Sequence, residues 1–294
     1  MTRLLAHRAA PTAVLILATA IWGLAFLVTR SAVTGVPVLP FIALRFATAA
    51  LCVRLATGAR MSRSTGTDLR AGVLLGLAML AGYALQGEGL RTLPAGKTAF
   101  ISALYVPLVP LIQMAISRRV PGMRLWIGVA LACAGLTLMT GASAGDAAGP
   151  PGRGEAFALA GAFAIAAEIT LVGRFAARVD PRRLAIAECG VVSVLALVLT
   201  WGSGTAWPAP HAAWLACAFG LGGASAFLQI STNWAMRSVP PTRATLIFAT
   251  EPVWAAGFGA LAGETMAPMA ILGGGLILAA LVVGALPGHA AVAG

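Results

Sequence analysis

The sequence predicts an all-α membrane protein of about ten transmembrane helices, arranged as two inverted-topology five-helix repeats. Three observations predict it. Only 10% of the 294 residues are charged and 59% are hydrophobic, whereas soluble domains carry roughly 25% charged residues. Apolar runs long enough to cross a bilayer, which takes about 20 residues in a helix, follow one another with short connections. The order of motifs in the first half of the chain also recurs in the second.

The first span is expected near 12–33. It follows a basic start, Met1–Ala10, that resembles a secretory leader. The apolar run continues through Trp22 and Phe26 with no small-residue cleavage site, so it reads as a retained helix. Charge clusters and Pro/Gly punctuation place the next four spans near 38–57, 69–90, 97–117 and 122–140. The longest connection, "GASAGDAAGPPGRG", then divides the chain nearly in half. Five more spans follow near 154–174, 183–201, 212–235, 242–262 and 267–286. No connection is long enough for a soluble domain.

Basic residues orient the chain. With the N-terminus inside, one side holds Arg3, Arg8, Arg54, Arg60, Arg63, Arg70, Arg118, Arg119, Arg124, Arg174, Arg178, Arg182, Arg183, Arg237 and Arg243. The other side carries only Arg30, Arg91, Lys97 and Arg153, and Arg45 falls within the second span. By the positive-inside rule both termini face the cytoplasm of a bacterial inner membrane. The rule also accounts for the net charge of +11, so no nucleic-acid partner is needed to explain it.

The halves align. "AIWGLAFLVTR" (20–30) matches "AIAAEITLVGR" (164–174), "LYVPLVPLI" (104–112) matches "ATEPVWAAG" (249–257), and "YALQG" near Gln86 matches "AFLQI" near Gln229. Pro107 thereby pairs with Pro252, and Gly128 with Gly273. An odd number of spans per repeat makes the second copy enter the membrane from the opposite side, an arrangement common in secondary transporters.

With "ATAIWGLAFLVTRSAV", "LPFIALRFATAAL" and "ATEPVWAAGFGALAGETMAPMAILGGGLILAALVV" on the page, the chain resembles the drug/metabolite transporter superfamily, specifically its ten-helix EamA-type members. The resemblance covers nearly the whole chain. Its most specific marks are Glu251-Pro252 and Gly263-Glu264. The first half has Val106-Pro107 and Arg118-Arg119 at the corresponding places, so a carboxylate role at Glu251 has no counterpart there. The resemblance implies EamA-like repeats over 1–141 and 154–294 with a linker at 142–153. It also implies a carrier that moves small organic solutes by alternating access, with exporters of amino acids and related metabolites among similar members.

Several side chains are candidates for the solute or coupling site. Glu251 beside Pro252 places a carboxylate and a helix breaker at mid-depth. A charge there costs roughly 2.5–3.5 kcal/mol on insertion scales. The proline frees a carbonyl near Phe248, which needs protein or water around it. Glu251 is either a substrate or proton site, or a bond that locks helices. Glu168 lies centrally in the sixth span with no basic residue within a turn, as a proton carrier would; the alternative is a structural acid. Arg45 pairs either with a substrate carboxylate or with Glu88. Glu188 is expected to face Arg182 or Arg183 at the inner interface. Gln86 and Tyr105 are the preferred polar contacts, with Asn233 behind them. The aromatics Trp22, Tyr83, Tyr105, Phe163, Phe227, Trp234, Phe248 and Trp254 either line a cavity or pack against lipid and neighbours.

Other readings are thin. "GASAG" around Ser143 formally fits a nucleophile motif but lies in a polar linker. His7, His211 and His289 lie at or beyond span ends, so neither a catalytic base nor a metal site is expected. Cys52, Cys133, Cys189 and Cys217 form no CxxC and read as packing residues. No cofactor and no catalytic activity are expected, and no nucleotide-binding motif points to ATP. The partners are a small-molecule solute, the bilayer and, in a coupled carrier, protons; the chain is a monomer or a homodimer. A multidrug or cationic-compound exporter, a non-transporting scaffold and an intramembrane enzyme are the alternatives.

Overall fold

Proline, glycine and capping side chains set the helix boundaries in the computed structural model, which describes residues 2–33, 36–58, 65–93, 98, 101–118, 120–140, 152–209, 212–261 and 267–285. Lys97, Arg60, Arg63, Arg119, the linker through residue 151 with Ser143, His211, Gly263-Glu264 and His289 lie outside the described residues, as do the side chains of Arg3, His7, Arg8 and Arg30.

The first half contributes α1 (Thr2–Val33), α2 (Val38–Thr57), α3 (Gly66–Thr92), α4 (Tyr105–Ser117) and α5 (Met123–Thr140). The second contributes α6 (Arg153–Phe175), α7 (Pro181–Gly202), α8 (Ala212–Ala235), α9 (Pro241–Phe248), α10 (Glu251–Leu261) and α11 (Pro268–Ala285). Thr65 and Asp68 form a reciprocal capping box at the start of α3. Asp180 accepts from the Arg182 and Arg183 amides at the start of α7, where Pro181 occupies the first turn. Gly58 closes α2 at φ +63°, a conformation in which glycine carries no side-chain penalty. The helices α2, α3, α6, α7 and α8 are each long and apolar enough to cross a membrane by themselves.

The ninth span is broken, and the break repeats. Helix α9 stops at Phe248 and α10 starts at Glu251, with a turn at Ala249-Thr250 between them. The fourth span turns at Ala103-Leu104 before α4 begins. Under the alignment of Pro107 with Pro252, Leu104 matches Ala249. Their dihedrals agree closely: φ −61°, ψ −11° and φ −59°, ψ −13°. Each proline therefore sits in the first turn of a restarted helix. There its missing N–H has no intrahelical duty. This corrects the expectation of one continuous ninth span displaced around Pro252.

The two halves do not fold side by side. The most extensive helix pairings all join one half to the other. They also obey the repeat: α3 against α6 mirrors α8 against α1, and α3 against α7 mirrors α8 against α2. Likewise α4 against α6 mirrors α10 against α1, while α2–α7 and α5–α11 pair equivalent helices. Small residues make the α5–α11 contact close. A Cβ on Gly135 would lie 2.5 Å from the Gly273 carbonyl, and one on Gly128 3.3 Å from that of Ala280. In a bilayer such close approach replaces the hydrophobic drive between helices.

Candidate functional site

The central cavity exists because polar residues in seven of the spans turn away from lipid and toward one another. A bilayer offers their groups no partners, so they face protein or water. The cavity encloses about 1180 Å³ including its mouth. It runs from Val33, Val38 and Leu90 at one end to Val172 and Met236 at the other. Its walls come from α1, α2, α3, α4, α6, α8 and the broken ninth span; α5, α7 and α11 stand outside it.

Trp22, Arg45, Tyr83, Gln86, Tyr105, Glu168 and Glu251 all line this one cavity. Pro252 does not. It positions the backbone behind Glu251, whose side chain projects from the first residue of α10. Phe248, the last residue of α9, meets Trp22 edge-on with centroids 5.1 Å apart. The break in the ninth span therefore puts an aromatic and a carboxylate on the same wall.

Arg45 is 3% exposed. Its Nε donates to Ser225 Oγ at 2.9 Å and its Nη1 to Thr29 Oγ1 at 3.4 Å. Its guanidinium carbon lies 5.1 Å from the Tyr83 ring centroid and 5.3 Å from that of Phe46. Both distances fall within cation–π range. The expected Arg45–Glu88 ion pair does not form. Glu88 is held by Arg91, one turn along its own helix, at 3.1 Å. Among the described residues no carboxylate forms a salt bridge with Arg45. A buried charge without an opposite charge is costly, so hydroxyls and aromatic faces do the stabilising here.

The carboxylates are arranged the same way. No described residue donates a hydrogen bond to Glu168 or to Glu251. Glu188 departs from expectation. It is 1% exposed and accepts from Asn233 Nδ2 at 2.8 Å, while Arg183 pairs with Asp68 at 3.1 Å instead. Asp68 lies at the start of α3, level with the start of α7, and reaches Arg183 first. Glu188 is more than a turn deeper. Asn233 lines the cavity and Glu188 stands behind it.

Further residues on the wall had little sequence signal. Thr29, Phe41, Gln229 and Thr232 belong to it. Thr232 Oγ1 is buried with no hydrogen-bond partner. Of these, Gln229 was traceable through its repeat match with Gln86; a threonine in an apolar helix is too common to single out. Four aromatics sort the other way. Phe163, Phe227, Trp234 and Trp254 are 38–51% exposed and lie off the cavity, on surface that faces lipid.

Comparison with known proteins agrees with this architecture. A family model for the EamA-like transporter family matches residues 11–141 and 152–285. An uncharacterized transporter of Archaeoglobus fulgidus is 26% identical over 270 residues, covering 92% of this chain and 83% of that protein. One protein crystal structure superposes with a TM-score of 0.77 at 18% identity, covering 94% of this chain and 97% of that one. At that identity the likeness concerns the fold alone.

Proposed function

This chain belongs to the EamA-like transporter family, and from that premise we propose that it exports small organic metabolites, amino acids foremost, by alternating access through the central cavity. The observation that carries the reading is charge complementarity across an otherwise apolar chamber. Arg45 lines it without a carboxylate partner, and Glu168 and Glu251 line it without a cationic one. A zwitterionic solute supplies both missing charges at once. Its carboxylate matches the planar guanidinium fork, and its ammonium matches the acids. Trp22, Phe41, Tyr83, Tyr105 and Phe248 give its side chain apolar contact.

Glu168 is the coupling candidate, because a carboxyl with no fixed partner is free to exchange a proton with the solute ammonium. The basic end of the bundle faces the cytoplasm in this reading, and both termini lie there. The second reading is a cationic-compound exporter, favoured by the same two acids and the aromatic walls. Arg45 weighs against it, since a cationic solute would leave that guanidinium facing a like charge.

Flux in proteoliposomes separates the two. We expect labelled amino acids to move, and the matching amines and deaminated acids to move at least about tenfold more slowly, a difference of about 1.4 kcal/mol. Amines moving as fast as the amino acids would favour the cationic reading. Silence for all three classes, with folded protein verified, would overturn both.

A further inference from the structure

We infer that a groove between α3 and α6, separate from the central cavity, binds an anionic phospholipid, with Arg70, Arg174 and Arg178 holding the headgroup phosphate. The groove, open to its surroundings, spans about 450 Å³ including its mouth and is lined by those three arginines together with Leu74, Leu171 and Phe175. The inference does not depend on which solute the protein carries.

Arginines at helix ends are common in membrane proteins and by themselves carry nothing. Two features set these apart. The first is that, among the described residues, no acid is left to pair with them. Asp68 is taken by Arg183 at 3.1 Å and by the Thr65 amide at 2.8 Å. Asp180 is taken by the amides that open α7. Glu168, Glu188 and Glu251 lie in the membrane interior, and Glu88 and Glu155 lie at the opposite end of the bundle. Among the described residues Arg70, Arg174 and Arg178 have neither an ion pair nor a side-chain hydrogen bond. By contrast, the exposed Arg54 caps its own helix through the Gly58 carbonyl at 2.6 Å.

The second feature is the order of residues with depth. Leu74 lies four residues into α3 from Arg70, about 6 Å deeper at 1.5 Å rise per residue. Leu171 lies about 4.5 Å deeper in α6 than Arg174, and Arg178 follows the end of that helix. The groove is therefore charged at its rim and apolar one turn further in. A free phosphate ion needs only the rim. A phospholipid uses both, with its phosphate on the guanidinium forks and its chain along Leu74 and Leu171. Basic pockets between transmembrane helices take anionic headgroups on the same principle.

The test uses the whole purified protein, delipidated in neutral detergent, with bound lipid read by native mass spectrometry. The probes are phosphatidylglycerol, phosphatidylcholine with the same chains, and soluble glycerol phosphate. Phosphatidylglycerol should be retained in preference to phosphatidylcholine. The preference should fall by about fivefold for each groove arginine removed, in R174Q and then in R70Q/R174Q/R178Q. A control that removes the same charge elsewhere, R54Q/R237Q/R243Q, should keep it. Equal retention of both lipids by the unaltered protein would overturn the inference. So would equal losses in the groove and control variants, which would mean diffuse charge attraction. Glycerol phosphate binding as tightly as the lipid would make the groove a soluble anion's site instead. If the triple variant fails to fold, R174Q against R174K decides the matter: the fivefold fall is expected in the glutamine variant and not in the lysine variant, and equal preferences in the two would overturn the inference.

Discussion

Asn233 donates to Glu188 at 2.8 Å, and the bond joins a residue of the cavity wall to a fully buried acid behind it. It ties α8, whose Ser225 also holds Arg45, to α7. Removing the acceptor leaves the Asn233 amide, 2% exposed, without its partner. We expect Glu188→Leu to destabilise the protein by about 1–3 kcal/mol. Glu188→Gln, which keeps a carbonyl acceptor, should stay within about 1 kcal/mol of the unaltered protein. Thermal unfolding in detergent measures both. Equal midpoints for the two variants would mean that the bond contributes nothing to stability.

Arg45 separates a carboxylate-binding cavity from one that only tolerates a buried cation. Lysine keeps the charge but loses the planar fork and its stacking on Phe46 and Tyr83. Arg45→Lys should therefore slow amino-acid flux per folded molecule by about tenfold, or about 1.4 kcal/mol. Arg45→Gln should slow it further and should raise the relative rate for amines. An unchanged ratio of amino-acid to amine flux in Arg45→Gln would remove Arg45 from solute recognition.

Glu168 and Glu251 differ in what their loss should do. Export coupled to proton entry runs faster when the outside is made acidic. Glu168→Gln cannot carry the proton, so its flux should no longer respond to the imposed gradient. Glu251→Gln should lower flux at every gradient by removing one of the two groups that meet the ammonium. Both variants keep the shape of the side chain, so abundance should change little. A Glu168→Gln protein that still responds fully to the gradient would place the coupling elsewhere.

Neighbouring glycines in "GLGG" of α8 should behave in opposite ways. A Cβ on Gly222 would lie 2.5 Å from Thr48 Cβ and 2.8 Å from the Arg45 carbonyl. A Cβ on Gly220 or Gly223 would meet nothing within 4 Å. Gly222→Ala should force α8 away from α2, with a loss of about 1–3 kcal/mol. It should also lower transport by disturbing the Arg45 backbone. Gly220→Ala should fall within about 0.5 kcal/mol of the unaltered protein. Similar unfolding midpoints for the two would refute the close packing of α2 on α8.

The spans and the membrane class follow from forces that act locally. Lipid partitioning works residue by residue, so composition and run length suffice to mark the spans and the membrane class. The repeat is visible because Pro107 and Pro252 keep their places in it. Polar groups such as Arg45, Glu168, Glu251 and Gln86 can be assigned to an interior wall because lipid cannot satisfy them. Their partners were a different matter. Arg45 bonds Ser225, 180 residues away, rather than Glu88; Asp68 holds Arg183 across 115 residues; Glu188 turns to Asn233. The side of the helix on which Phe163 or Trp254 lies was equally undecided, since an aromatic ring suits lipid and cavity alike. Each of these choices depends on which helices meet and at what depth. Here the halves interleave, so those meetings are made between residues far apart in the chain, and they are fixed by helix packing rather than by local sequence.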